Sequence, residues 1–146
     1  MYRSRPAGFE VLLVHPGGPF WKGKDMGAWS VPKGEVGPDE DLLAAARREF
    51  AEETGSPVNG AFQALAPIRQ KSGKRVHVWA VEGDFDPTTL NSNTFPVEWP
   101  PRSGRMEQFP EVDRAEWFPL EVARSRILPA QQPLIAELTG LLVKVP

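Results

Sequence analysis

The chain has 146 residues, 40% of them hydrophobic and 25% charged, with a formal net charge of −2. That is the profile of one ordinary domain, 1–146, large enough to bury a core. No apolar run approaches the roughly 20 residues a bilayer span needs, too little apolar sequence follows the basic start Met1–Pro6 for a signal-peptide core, and there is no cysteine for disulfides, thiolate metal sites or thiol nucleophiles.

A cytoplasmic protein with no membrane role is therefore expected, and the slight acidity gives no strong nucleic-acid signal. Charge is unevenly placed. Residues 34–56 hold Glu35, Asp39, Glu40, Asp41, Glu49, Glu52 and Glu53 against only Arg47 and Arg48. An acidic focus in a mildly basic body suits either a solvated helix face or a divalent metal that meets a polyanion.

In chain order, only Met1-Tyr2 precedes Arg3–Gly8, which reads as a turn. The first strand is thus expected to be a stub, and a version extended upstream to be more stable or less self-associating. Phe9–His15 is a compact apolar strand stopped by Pro16-Gly17-Gly18-Pro19. Trp29-Ser30-Val31 is a short strand ended by Pro32. Pro38–Thr54 has a helical pattern with acids in its first turn and Gly55 as the left-handed stop. Residues 61–70 form a weak strand, and Arg75–Val81 a strand covered on both faces. Residues 83–110 read as one long irregular loop. Ala115–Phe118 is a strand, Leu120–Ile127 a short helix, and Gln132–Val143 a C-terminal amphipathic helix. Such an order predicts a mixed sheet with helices packed on it.

On the long helix, Leu43, Ala46 and Phe50 fall within about 60° of one another and form the core stripe. Glu49, Glu52 and Glu53 lie at i, i+3 and i+4, so their carboxylates are expected to converge. Converging anions raise each other's pKa unless a cation sits among them, and hard oxygen ligands favour Mg²⁺, Mn²⁺ or Ca²⁺ over Zn²⁺. Arg48, four residues before Glu52, can orient it.

The spacing Gly34, Glu40, Arg48-Glu49-Phe50-Ala51-Glu52-Glu53-Thr54-Gly55 resembles the Nudix box over 23 residues (34–56), departing from it at Ser56, where the family prefers an aliphatic side chain. The Trp-x-x-Pro-Lys-Gly run at Trp29–Gly34 and the later Glu116-Trp117-Phe118 strand agree. Pro16–Trp21 followed by Trp29–Glu35 resembles a bacterial subgroup of predicted nucleoside triphosphate pyrophosphohydrolases. The resemblance implies an α/β/α sandwich with a mixed sheet. It also implies a hydrolase that cuts a nucleoside diphosphate linked to another group, by water attack on phosphorus with Mg²⁺ or Mn²⁺. The substrate expected is a small nucleotide, either a nucleoside triphosphate or a dinucleoside polyphosphate. A homodimer is compatible with the family. The alternative is a catalytically silent nucleotide-binding or regulatory module. An enzyme acting on the 5′ end of messenger RNA is disfavoured by the lack of a strong basic stripe.

Carried over by position, the metal ligands would be the Lys33 carbonyl, Glu49, Glu52 and Glu53, with Glu40 supporting the loop through a charge pair. A further acid outside the box is expected at Glu111, with Glu107 a rival and Glu98 a distant third. The expected catalytic set is then Glu52, Glu53, Arg48 and Glu111, and Glu111 joins the metal set. Phosphate-gripping candidates are Lys33, Lys71, Lys74, Arg75, Arg102 and Arg105. Phe20 and Trp21, in a loop where burial is hard, are base-stacking candidates together with Trp99, whereas Trp29 and Trp117 are expected in the core. His77 reads as a packed strand residue.

Overall fold

The computed structural model describes residues 1–33, 36, 38–70 and 72–143. Its organising element is the second strand, β2 (Gly8–Pro16), which lies between β1 (Tyr2–Arg5) and β9 (Val112–Pro119), antiparallel to both. The run Val11–Val14 is buried on both faces, which is why it reads as continuously apolar rather than alternating. Val11 and Leu13 point into one core with Trp29, Phe118 and the helices α2 (Leu120–Arg126) and α3 (Gln132–Leu142). Leu12 and Val14 point into the other with Phe50 of helix α1 (Leu42–Thr54), Phe85 and Val112. Helices on both faces of the sheet make an α/β/α sandwich. Parallel bridges Tyr2–Glu82 and Trp29–Ile127 make the sheet mixed.

The start of the chain differs from expectation. β1 is a four-residue strand paired from Tyr2–Val11 to Arg5–Gly8, and only Pro6-Ala7 turns the chain. Arg3 is strand, not turn. Its guanidinium bonds Glu10 and Asp84 at 2.8 Å each and lies over the Trp117 ring. The Trp29–Val31 strand shrinks to two bridges, Trp29 to Ile127 and Ser30 to Val14.

Helix α1 begins four residues later than its pattern suggests. Asp41 is its cap and accepts from the Ala44 N–H at 3.0 Å, while Asp39 sits at φ +60°, so these acids precede the first turn rather than fill it. Its other end is as read. Gly55, at φ +82°, donates to the Ala51 carbonyl at 2.8 Å, and a Cβ there would stand 2.7 Å from the Asn91 carbonyl oxygen.

The strands expected at 61–70 and 75–81 are each broken in two. β3 (Gln63–Ala64) pairs with β6 (Trp79–Ala80), and β4 (Ile68–Arg69) with β5 (Arg75–Val76). Between them the Ala66 N–H turns to the Glu137 carboxylate at 2.9 Å and Pro67 has no N–H to give. Residues 83–110 are not one irregular loop. They contain a 3₁₀ turn at Pro87–Thr89 and a hairpin, β7 (Thr94–Glu98) with β8 (Met106–Pro110).

Candidate active site

Arg48 organises the acidic face of α1. Its guanidinium grips Glu40 with both carboxylate oxygens, at 2.8 and 3.0 Å, and bonds Glu49 at 2.9 Å and Glu52 at 3.1 Å. The paired fork geometry ties the segment before the helix to its middle. Three carboxylates hold the Arg48 proton even more firmly than usual, chiefly through Glu40 and then Glu52.

Glu53 faces the other way. Its Oε2 is buried and has no hydrogen-bond partner. Burial pushes its carboxyl up to about 8, with the charges of Glu49 and Glu111 adding; the Lys33 N–H and the Lys33 charge oppose the rise without cancelling it. Glu49 is raised as well, first by burial and then by Glu52 and Glu111, against Arg48. Expected convergence of all three glutamates is not what the structure holds. Among the described residues no three acidic or histidine side chains close on one point, because Arg48 draws Glu52 and one oxygen of Glu49 toward itself.

Glu111 is the acid outside the helix whose charge raises both Glu49 and Glu53. A backbone relay holds it there. Asn93 N–H donates to the Glu52 carbonyl, Glu111 N–H to the Asn93 carbonyl, and Gly17 N–H to the Glu111 carbonyl, all at 2.8–2.9 Å. Gly17 is required at that contact, since a Cβ would overlap the Pro110 carbonyl. Glu107 is instead a β8 residue opposite Val97, and Glu98 lies on β7 opposite Met106.

Beside Glu49 a cleft of about 400 Å³ opens between α1 and the β4–β5 turn, lined among others by Lys33, Lys74, Arg75 and His77. Three of the expected phosphate-binding cations therefore meet the Glu49 edge of the acidic face. Gly34, Glu35 and Lys71 lie outside the described residues. Arg102 and Arg105 stand at the far end of the β7–β8 hairpin and do not line this cleft. His77 is corrected from packed to exposed, at the break between β5 and β6. Trp29 is core, with its indole N–H on Asp25, and Trp117 packs half-buried with its N–H on the Phe85 carbonyl. Trp21 packs partly into the α2–α3 core, which leaves little of its ring for stacking, whereas Phe20 is exposed and meets Trp99 edge-on.

Two supports were not anticipated. His15, only 2% exposed, bonds Asp113 at 2.7 Å through Nδ1, and its Nε2–H donates to the Lys24 carbonyl at 2.6 Å, which fastens the 17–27 loop to β9. Gln131, also buried, accepts from the Val31 N–H at 3.0 Å and donates to Ser30, fixing the segment that delivers Lys33. A lone histidine in an apolar strand signals that its ring needs partners. Which partners, one nine residues away and the other 98, spacing does not say.

The NUDIX domain family model matches residues 2–138. An RNA pyrophosphohydrolase of Caulobacter vibrioides (strain NA1000 / CB15N) is 48% identical over 50 residues, 31% of this chain, and the chain spans 29% of that relative's length. In overall shape the chain resembles a C. elegans Ap4A hydrolase binary complex, at TM-score 0.62 and 21% identity over 96% of this chain and 92% of the other. It also resembles the E. coli ORF135 protein, at 0.56 and 24% over 95% and 84%. A MutT protein from Methanosarcina mazei Go1 gives 0.55 and 18% over 92% and 86%. With the family model covering nearly all of it, this chain belongs to the Nudix family.

Proposed function

We propose that the protein is a metal-dependent pyrophosphohydrolase that cleaves a pyrophosphate linkage in a nucleoside diphosphate derivative by water attack on phosphorus. The observation that carries this reading is the buried, unpartnered Glu53 Oε2, electrostatically coupled to Glu49, which lines a cleft with Lys33, Lys74 and Arg75. A buried carboxyl oxygen without a partner is costly. A divalent cation would remove that cost, and an all-oxygen donor set fits Mg²⁺ or Mn²⁺. Glu49, Glu52, Glu53, Glu111 and the Lys33 carbonyl are the groups proposed to hold it. When bound, such an ion supplies neutralisation of phosphate oxygens and a more acidic water.

The remaining roles fall to side chains of this chain. Lys33, Lys74 and Arg75 would take the non-reacting phosphate oxygens and reduce the anionic repulsion that protects a polyphosphate from attack. Arg48 keeps Glu49 and Glu52 from turning into solvent. Glu111, exposed yet electrostatically coupled to the half-buried Glu49 and Glu53, would accept the proton of the attacking water.

Candidate substrates are nucleoside triphosphates and dinucleoside polyphosphates. The Caulobacter relative favours a second reading for the same site, a 5′-triphosphorylated RNA. As for location, no helix among the described residues is long and apolar enough to cross a membrane, and a cytoplasmic site of action is part of the proposal. The test is a panel of these three substrate classes with Mg²⁺, scored for pyrophosphate against phosphate release. Mg²⁺-dependent release lost in Glu53→Gln supports the reading. No release from any class overturns it in favour of a silent binding module.

A further inference from the structure

The β7–β8 hairpin is paired only with itself among the described strands. Its register sets the order of side chains along one face. Phe95 lies opposite Phe109 and Val97 opposite Glu107; beyond them Trp99 donates its backbone N–H to the Arg105 carbonyl at 2.9 Å. Near the root this face is covered, since Gly18 lies so close that a Cβ there would be 3.1 Å from the Phe95 ring. Toward the tip the cover ends at Phe20, whose ring meets Trp99 at 5.8 Å and 86° and is still 62% exposed.

The loop carrying Phe20 is anchored at both ends. Gly17 is bonded to Glu111, the Lys24 carbonyl to His15, and Asp25 to both Trp29 and Arg126. A fastened loop therefore holds a large ring in water beside a second ring. Lys22 and Lys24 follow Phe20 on the loop, and Arg102 and Arg105 lie at the hairpin tip, with Arg105 across the strand pair from Trp99. Among the described residues none of these four enters an ion pair, and Lys24 lies over the Trp21 ring. The hairpin's acids are Glu107, one pair nearer the root on the same face, and Glu98 on the opposite face.

An exposed ring edge-on to a half-buried one, with an arginine across the strand pair from it, is chemistry that binds a nucleotide by stacking and phosphate contact, without base-edge reading. We propose that Phe20, Trp99 and Arg105 form a second-nucleoside subsite, which takes a base and flanking phosphate of the substrate beyond its first nucleotide. This rests on the hydrolase reading above. At about 3.3 Å per strand residue the rings lie on the order of 15 Å beyond Glu111. One mononucleotide held at the Glu49 cleft would not span that distance, so the subsite would select substrates that carry a second nucleoside. A dinucleoside polyphosphate and a 5′-triphosphorylated RNA both qualify.

The experiment compares the full chain with Phe20→Ala, Trp99→Ala and Trp99→Phe on ATP, diadenosine tetraphosphate and a short 5′-triphosphorylated oligoribonucleotide. The ratio of kcat/KM for a long substrate to that for ATP should fall five- to hundredfold in both alanine variants, through KM. Trp99→Phe should restore most of it. Whichever long substrate shows the fall identifies the source of the nucleoside. Unchanged ratios for both long substrates would overturn the subsite. A second arm follows tryptophan fluorescence quenching by the same compounds in EDTA, where Phe20→Ala should weaken binding by a similar factor. If the wild type hydrolyses nothing, the hydrolase reading fails and this arm still decides the subsite, because equal affinity of wild type and Phe20→Ala overturns it. Melting temperatures of the variants, expected within about two degrees of wild type, show that the fold is intact.

Discussion

Two sides of one helix turn carry acids in opposite conditions. Around Arg48, three carboxylates share one guanidinium, and each oxygen that faces it is bonded. One residue past Glu52, Glu53 buries an oxygen with no partner, and its carboxyl is pushed up to about 8. The first arrangement is internally complete and explains why the segment before the helix stays docked on it. The second is incomplete as a piece of protein, and its cost makes sense when a cation is the missing partner. Acidity alone therefore does not mark a metal site; on the proposed reading, the mark is the acid that the protein's own cations leave unsatisfied.

Removing the unsatisfied acid should break the molecule's chemistry and leave its fold. Glu53→Gln is expected to lower turnover at saturating Mg²⁺ by at least about 100-fold, while the metal-free protein melts no lower than wild type. More than a few per cent residual activity would show that the ligand assignment is wrong. Glu52→Gln should be as severe for turnover. Glu111→Gln should reduce kcat by about 10- to 100-fold with little change in nucleotide affinity, and Glu107→Gln should be mild. The reverse pattern would move the role up the hairpin.

Breaking the satisfied side should give a different signature. Arg48→Met leaves Glu40, Glu49 and Glu52 without their shared partner, and apparent Mg²⁺ affinity is expected to fall about 10-fold or more. Since the guanidinium is partly exposed, stability should change little. An unchanged Mg²⁺ dependence would mean that the two sides do not communicate. A purely structural change sharpens the contrast further. In Gly55→Ala the left-handed φ and the contact with the Asn91 carbonyl should cost about 1–3 kcal/mol, read as a lower melting temperature with kcat intact in the folded fraction.

Much of the satisfied side was legible in the sequence. The i, i+3, i+4 glutamates, Arg48 four residues before Glu52 and the Gly55 stop are local features of one helix, and local features survive folding. Continuous burial of β2 was legible for the same reason. Less local features were not. The true start of α1 depends on Asp41 capping and on Asp39 adopting φ +60°. The broken ladder at 63–80 depends on Glu137, some seventy residues away, taking the Ala66 N–H. The hairpin carries a mixed signal: Phe95, Val97 and Trp99 alternate, but Pro96, Pro100 and Pro101 among them favour a loop. Divergence of Glu52 from Glu53 follows from competition between an arginine and burial, which no spacing rule weighs.

The central claim is that Glu53 is a carboxyl the fold leaves for a cation. A folded pKa above the usual carboxylate value favours the protonated form. The metal-free protein then has its full Glu53 contribution to stability below about pH 4.5 and loses it as pH rises through about 8. The direct measurement is a carboxyl-carbon NMR titration of Glu53 in protein stripped of metal with EDTA, repeated with Mg²⁺. The account predicts a midpoint near 8 without metal and ionisation several units lower with it, accompanied by a melting temperature that falls toward pH 8 only in the stripped wild type and not in Glu53→Gln. A midpoint near 4.5 that Mg²⁺ does not move would contradict it.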